Sequence, residues 1–349
     1  MEYVTLNTGS RMPMLGLGIY ALHGKECEHA VLNAIELGYR LFDTAQMYGN
    51  EKELGRALQE SLVPREELFV TTKLYRPNTS YALAKRAIEM SLRTLGLEYI
   101  DLLLIHEPYA EAEDMYRAME EAHGDGRVKA IGISNFNAAR YADFVHACNV
   151  IPAVNQVEAH IFFQQTAMQS TMQRRGTCMQ AWSPLAAGKN DFFGNSVLQS
   201  IGNAYGKSSA QVGLKFLVQR GFSVIPKSSQ RERMQENMDI FDFQLSEEDI
   251  QSLFQRVLRF GNGGASCENI ENGSFQRLRL KTAGIAQIPL SVQIEQQYSF
   301  FCISGKLNTQ IMRRRCLAYA AFLIGYCADI HACSPCKYVF ILLHVYVIL

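Results

Sequence analysis

Four polar side chains in the first third of the chain make up a set that can deliver a proton. They are Asp43 and Tyr48 in Leu41-Phe42-Asp43-Thr44-Ala45-Gln46-Met47-Tyr48-Gly49-Asn50, Lys73 in Thr71-Thr72-Lys73-Leu74, and His106 in Leu104-Ile105-His106-Glu107-Pro108. A phenol with an ordinary pKa of about 10 is a poor donor to a developing alkoxide. A nearby ammonium favours the phenolate, so Lys73 is expected to lower the pKa of Tyr48, with Asp43 holding Lys73 charged and in position. His106, as a neutral imidazole, can donate a hydrogen bond to a carbonyl oxygen and orient it. Taken singly, each residue reads as packing, as a solvated charge or as a satisfied core group. Together they end successive strand-like segments, and such ends converge on one face of a (β/α) barrel.

The elements that would carry them follow a regular alternation. Short apolar runs occupy residues 15–20, 41–45, 68–74, 101–106, 130–135, 154–159, 178–183 and 223–228. They are too short and too continuously apolar to be other than strands buried on both faces. Helix-like stretches lie between them, among them 27–37, 81–95, 111–122, 164–174 and 209–219. Eight strands and their helices over about 240 residues predict a (β/α)8 TIM barrel. Residues 4–14 read as a β-hairpin turning at Asn7–Gly9 that could plug the barrel bottom. A doubly wound sheet would need a Gly-x-Gly-x-x-Gly turn, and Gly16-Leu17-Gly18-Ile19-Tyr20-Ala21 lacks the third glycine.

At 349 residues the chain can bury a large core, and its 34 basic and 34 acidic residues point to no nucleic acid or acidic partner. The N-terminus lacks a signal-peptide pattern, and Cys27, Cys148 and Cys178 are spaced neither for disulfides nor for a metal, so a reducing cytoplasm is expected. The pattern stops near Leu253. Residues 1–262 are read as the barrel, and 263–349 as an atypical, disorder-prone extension with eight basic and four acidic residues. Cys327, His331, Cys333 and Cys336 have zinc-like spacing, but their flanks do not resemble a zinc ribbon, and no metal is expected. The terminal apolar blocks are each shorter than the roughly 20 residues that span a bilayer. A tail anchor, interrupted by Asp329, His331 and Lys337, and an unselected extension are the readings left for this segment.

Asp43-Thr44-Ala45-x-x-Tyr48-Gly49-Asn50-Glu51, then Thr72-Lys73-Leu74, Asp101-x-x-x-Ile105-His106 and Gly132-Ile133-Ser134-Asn135-Phe136 resemble the aldo-keto reductase family, in order and at family spacing from about residue 3 to 253. The resemblance implies a (β/α)8 barrel that reduces aldehydes or ketones with NADPH, with Tyr48 as acid, Lys73 and Asp43 tuning it, and His106 orienting the substrate. It implies that Ser134, Asn135 and Gln156 bind the nicotinamide carboxamide and that Trp182 stacks on the ring, with Ser183 and Leu185 beside it. Lys227, Ser228, Arg233, Glu236 and Asn237 match the adenosine-phosphate site, which favours NADPH over NADH. Pocket candidates are Tyr20, Met47, Tyr75, His106 and Tyr109, a partly aromatic site for a small-molecule carbonyl. The short connection after His106 favours an open-mouthed monomer. The family also contains barrel subunits attached to potassium channels, so a regulatory binding role is the alternative, alongside a reductase impaired by its tail.

Overall fold

The computed structural model describes residues 1–256. Two short strands come first, β1 (Tyr3–Thr5) and β2 (Arg11–Pro13), paired antiparallel with Val4 opposite Met12. Eight further strands follow: β3 (Leu17–Gly18), β4 (Leu41–Asp43), β5 (Phe69–Leu74), β6 (Ile100–Ile105), β7 (Val128–Ser134), β8 (Val154–Glu158), β9 (Cys178–Trp182) and β10 (Ser223–Val224). They pair in chain order, every neighbour parallel, with helices in each connection.

The sheet closes on itself between its first and last strands. Gly16 N donates to Val224 O at 2.9 Å, Val224 N to Met14 O at 2.8 Å and Gly18 N to Pro226 O at 3.2 Å. Gly18 and Lys227 form a parallel bridge across this seam. A Cβ on Gly18 would lie 2.8 Å from the Ile225 carbonyl oxygen, so the seam admits only glycine there. The result is the (β/α)8 barrel, and its closure leaves no open sheet edge. β3 and β10 are shorter than the apolar runs that predicted them because bonding continues beyond them as isolated contacts, such as Ile19 N to Asp43 O at 3.1 Å.

Alternation along each strand divides the core in two. Leu103, Ile105, Ile131 and Ile133 pack outward in the large cluster shared with the helices. Leu41, Phe69, Leu102, Leu104, Val154 and Ile225 form a second, inner cluster, joined by Leu6 and Met12 of the hairpin. The hairpin therefore plugs the N-terminal end of the barrel, and each of these two buried side chains contributes about 2 kcal/mol by leaving water. Local chemistry sets the helix limits. Ser80 Oγ accepts from Leu83 N at 3.3 Å ahead of helix Tyr81–Leu95, and Gly96 ends it at φ 68°. Ser208 and Gln211 form a capping box at the start of helix Ser209–Gln219.

Within the described residues no helix is long and apolar enough to cross a membrane. The boundary at 262, the zinc-spaced cluster and the apolar terminal blocks lie outside the described residues.

Candidate active site

The C-terminal ends of β4, β5 and β6 bring the predicted set together. Asp43 closes β4, Lys73 is next to last in β5, His106 follows β6, and Tyr48 ends the short 3-10 turn Gln46–Tyr48 beyond β4. Lys73 is fully buried and donates to Asp43 Oδ1 at 2.5 Å, Thr44 O at 2.8 Å and the Tyr48 hydroxyl at 3.3 Å. Those three bonds use every ammonium proton. The second Asp43 oxygen accepts from Gln156 Nε2 at 2.6 Å. The Tyr48 ring meets His106 edge-on at 5.5 Å and Tyr20 at 5.0 Å.

Residues to which the sequence motif assigned no role hold the Tyr48 turn. Thr44 Oγ1 donates to Asn50 Oδ1 at 2.6 Å, and Asn50 Nδ2 donates to Ile19 O and Leu22 O at 2.8 and 2.9 Å. Thr72 Oγ1 donates to Glu51 Oε1 at 2.7 Å, and Gln46 Nε2 to Ser91 Oγ at 2.8 Å. Thr44 and Asn50 are completely buried, so these bonds form where water does not compete.

The electrostatics depart from expectation at one point. Burial alone would favour loss of the Lys73 proton, but Asp43 and Tyr48 outweigh it, and the ammonium sits above its ordinary range. Burial lifts the Asp43 carboxyl, while Lys73 and the Gln156 amide pull it back. At 2.5 Å the two stand as a charged pair. Tyr48 does not sit below its ordinary range as expected: burial raises it, Lys73 recovers only part of the rise, and Asp43 adds to it. Desolvation of the phenolate thus outweighs the cation, and the resting phenol keeps its proton.

Burial, with Lys73 second, depresses His106 to about 4. The imidazole is therefore neutral at physiological pH, and its Nδ1 is buried without a hydrogen-bond partner. In the unfolded chain the same group takes up a proton near its ordinary 6.5. Between those values only the unfolded chain binds it, so stability rises with pH and is lost as pH falls from 6.5 toward 4. Urea unfolding is expected to show His106→Gln removing about 2 to 3 kcal/mol of the stability difference between pH 7 and 4.5. An unchanged difference would refute this contribution.

The expected carboxamide-binding residues stand on the neighbouring strand ends. Ser134, at the end of β7, donates its hydroxyl to Gln156 O at 2.9 Å. Gln156 uses both amide protons, on Asp43 and on Gln180 Oε1 at 2.7 Å. Because a carboxylate only accepts, this fixes the amide orientation and leaves Gln156 Oε1 as an acceptor. Asn135, at φ 64°, donates to His106 O at 3.2 Å and Glu107 Oε1 at 2.9 Å, and its Oδ1 accepts from Trp182 Nε1 at 2.8 Å. Trp182, Ser183 and Leu185 are half-buried at and beyond the end of β9. A hydroxyl, an amide acceptor and a half-exposed indole suit a carboxamide and its ring.

Lys227 and Arg233 flank the barrel seam on the chain and are exposed, and neither has an ion-pair partner among the described residues. Arg231, by contrast, is paired with Glu36 at 2.7 Å. Ser228 Oγ accepts from Gln230 N at 3.0 Å just before helix Arg231–Met238, which also carries half-buried Glu236 and buried Asn237. Two uncompensated cations beside a helix start fit a phosphate.

Of the pocket candidates other than His106, Tyr20 alone is in ring contact with Tyr48. Met47 is 51% exposed on the same turn as Tyr48. Tyr75 and Tyr109 stand beyond β5 and β6, with Arg76 over the Tyr109 ring at 5.5 Å. Glu107 and Gln180 join the site although the sequence reading gave them no role. For Gln180 the available signal was a glutamine inside an apolar strand run.

These features agree with the similarities of the chain. The model of the aldo/keto reductase family matches residues 14–255. The chain is 42% identical over 253 residues to the 9,11-endoperoxide prostaglandin H2 reductase of Trypanosoma cruzi, covering 72% of this chain and 89% of that protein. It is 40% identical over 254 residues to the glyoxal reductase of Bacillus subtilis, covering 72% and 91%. Among solved structures, a Bombyx mori aldo-keto reductase in complex with NADP matches with a TM-score of 0.69 and 34% identity, over 73% of this chain and 92% of that one.

Proposed function

Because this chain belongs to the aldo/keto reductase family, and so to the NAD(P)-dependent carbonyl reductases, we propose that it uses NADPH to reduce small aldehydes and ketones to alcohols, with Tyr48 as the proton donor. When bound, the dinucleotide would supply the hydride for the carbonyl carbon. The Tyr48 hydroxyl gives its proton to the carbonyl oxygen, and Lys73, at 3.3 Å, steadies the phenolate that remains. His106, neutral and with an unpartnered nitrogen, orients that oxygen. The observation that carries this reading is the Lys73 ammonium fixed between the Asp43 carboxylate and the Tyr48 hydroxyl.

Ser134, Asn135 and Gln156 would hold the carboxamide, and Trp182, Ser183 and Leu185 would lie along the nicotinamide side. Lys227, Ser228 and Arg233 would take the 2′-phosphate, with Glu236 and Asn237 toward the adenosine. Lys227→Met is expected to raise the KM for NADPH about tenfold, as loss of one charge-assisted contact does, and to change the KM for NADH little. Equal changes for the two cofactors would remove the phosphate assignment.

The names of the relatives span a prostaglandin endoperoxide and a two-carbon dialdehyde. A test panel therefore needs small and bulky carbonyls together with a cyclic peroxide, with NADPH consumption as the readout. No consumption with any of them, despite cofactor binding, would overturn the reading. We place the protein in a reducing cytoplasm, where the described thiols Cys27, Cys148 and Cys178 would stay reduced.

A further inference from the structure

Glu107 is an exposed carboxylate at the mouth of the barrel. It follows His106 directly, ahead of Pro108, and its carbonyl oxygen accepts from Tyr109 N at 2.7 Å. One carboxylate oxygen accepts from Asn135 Nδ2 at 2.9 Å, and that amide group also donates to His106 O. The side chain is thereby tied between the ends of β6 and β7, next to the imidazole whose Nδ1 has no partner. No cation neutralises it: among the described residues Glu107 takes part in no ion pair. Arg140 is engaged instead with Glu113 at 3.7 Å, Arg76 lies over the Tyr109 ring, and the Lys73 charge is matched by Asp43. Burial lifts the Glu107 carboxyl above its ordinary range, with the Asn135 amide pulling it back. Glu107 is nevertheless solvent-exposed and accepts the Asn135 amide proton, both of which favour the carboxylate form.

We propose that Glu107 is a specificity-determining residue that turns the site away from carbonyl substrates bearing their own negative charge and toward neutral or cationic ones. The inference rests on the carbonyl-reductase reading above and adds the charge class of the substrate. Glu107 follows His106 directly at the end of β6 and is bonded to Asn135 at the end of β7, so its charge lies close to any aldehyde whose carbonyl oxygen is held by His106 and Tyr48. Like charges about 6 Å apart at an effective dielectric of about 40 weaken binding about tenfold.

The test compares two aldehydes of nearly equal shape, 4-carboxybenzaldehyde and neutral 4-formylbenzamide, with the full chain and NADPH. The quantity read is the ratio of their kcat/KM values, in which any loss common to both substrates cancels. The wild-type protein is expected to prefer the amide by about tenfold, and this preference should shrink toward unity in 0.5 M salt as charges at the mouth are screened. Glu107→Gln should bring the ratio near unity at low salt, and Glu107→Lys should invert it. A ratio that is the same in all three proteins, or insensitive to salt, overturns the proposal while leaving the reductase reading intact. Absence of NADPH consumption with either aldehyde in the wild-type protein overturns the reductase reading instead, and this inference with it.

Discussion

Tyr48→Phe should lower kcat/KM for a reactive aldehyde by about 10³-fold, within the range over which a positioned general acid accelerates proton transfer. The substitution removes one oxygen atom and leaves the ring contacts with Tyr20 and His106 in place. The turn should keep its shape, because its bonds come from Thr44, Gln46, Asn50 and Glu51 rather than from the hydroxyl. Lys73 loses only its longest contact, at 3.3 Å, and keeps Asp43 and Thr44. NADPH affinity should therefore stay within about twofold, since no cofactor-binding group is touched. Trp182, the single tryptophan of the chain, allows that affinity to be followed by fluorescence. Activity within tenfold of the wild-type value would rule out Tyr48 as the proton donor.

Lys73→Met should have the largest effect on stability. It leaves Asp43, 2% exposed, with only the Gln156 amide as a partner. Breaking a buried pair from one side costs about 3–5 kcal/mol, because the remaining charge is uncompensated. The loss should shrink as pH falls. Without Lys73 the folded-state pKa of Asp43 lies further above its unfolded value, so protonation stabilises the variant on acidification. Asp43→Asn combined with Lys73→Met should recover most of the stability by removing both charges, yet remain inactive because Tyr48 has no cation beside it. Urea titrations of the three variants at two pH values check this. A Lys73→Met protein as stable as the wild type would show that the pair is not charged.

The barrel was readable because its strands are buried on both faces, and such strands stand out as apolar runs bounded by polar residues. The runs at 41–45 and 68–74 carry Asp43 and Lys73 at positions where strand ends converge, so the candidate proton-donating set could be assembled from the sequence. The hairpin was legible from its turn, which Gly9 makes at φ 84°. What stayed hidden depends on distance across the barrel rather than along the chain. Gln156 reaches Asp43 over 113 residues of sequence, a contact set by how β8 and β4 face one another inside the closed sheet. The direction of the Tyr48 shift was misjudged for a related reason. Spacing names Lys73 as a neighbour, but the depth of burial that outweighs it emerges only once the chain is closed around the phenol. Glu107 was visible in the sequence as a charge after His106, but nothing local said that Asn135 would hold it in place.

Gln156 links two demands that are usually met by different residues. Its amide nitrogen secures Asp43 and Gln180, while its oxygen remains on offer to a ligand. A substitution there made to alter the grip on a cofactor would also loosen the carboxylate behind Lys73. The position can therefore not drift for one purpose alone, and if Lys227 and Arg233 take the 2′-phosphate as proposed, cofactor choice is better re-engineered at those exposed side chains, which among the described residues make no hydrogen bond to Asp43, Lys73 or Tyr48.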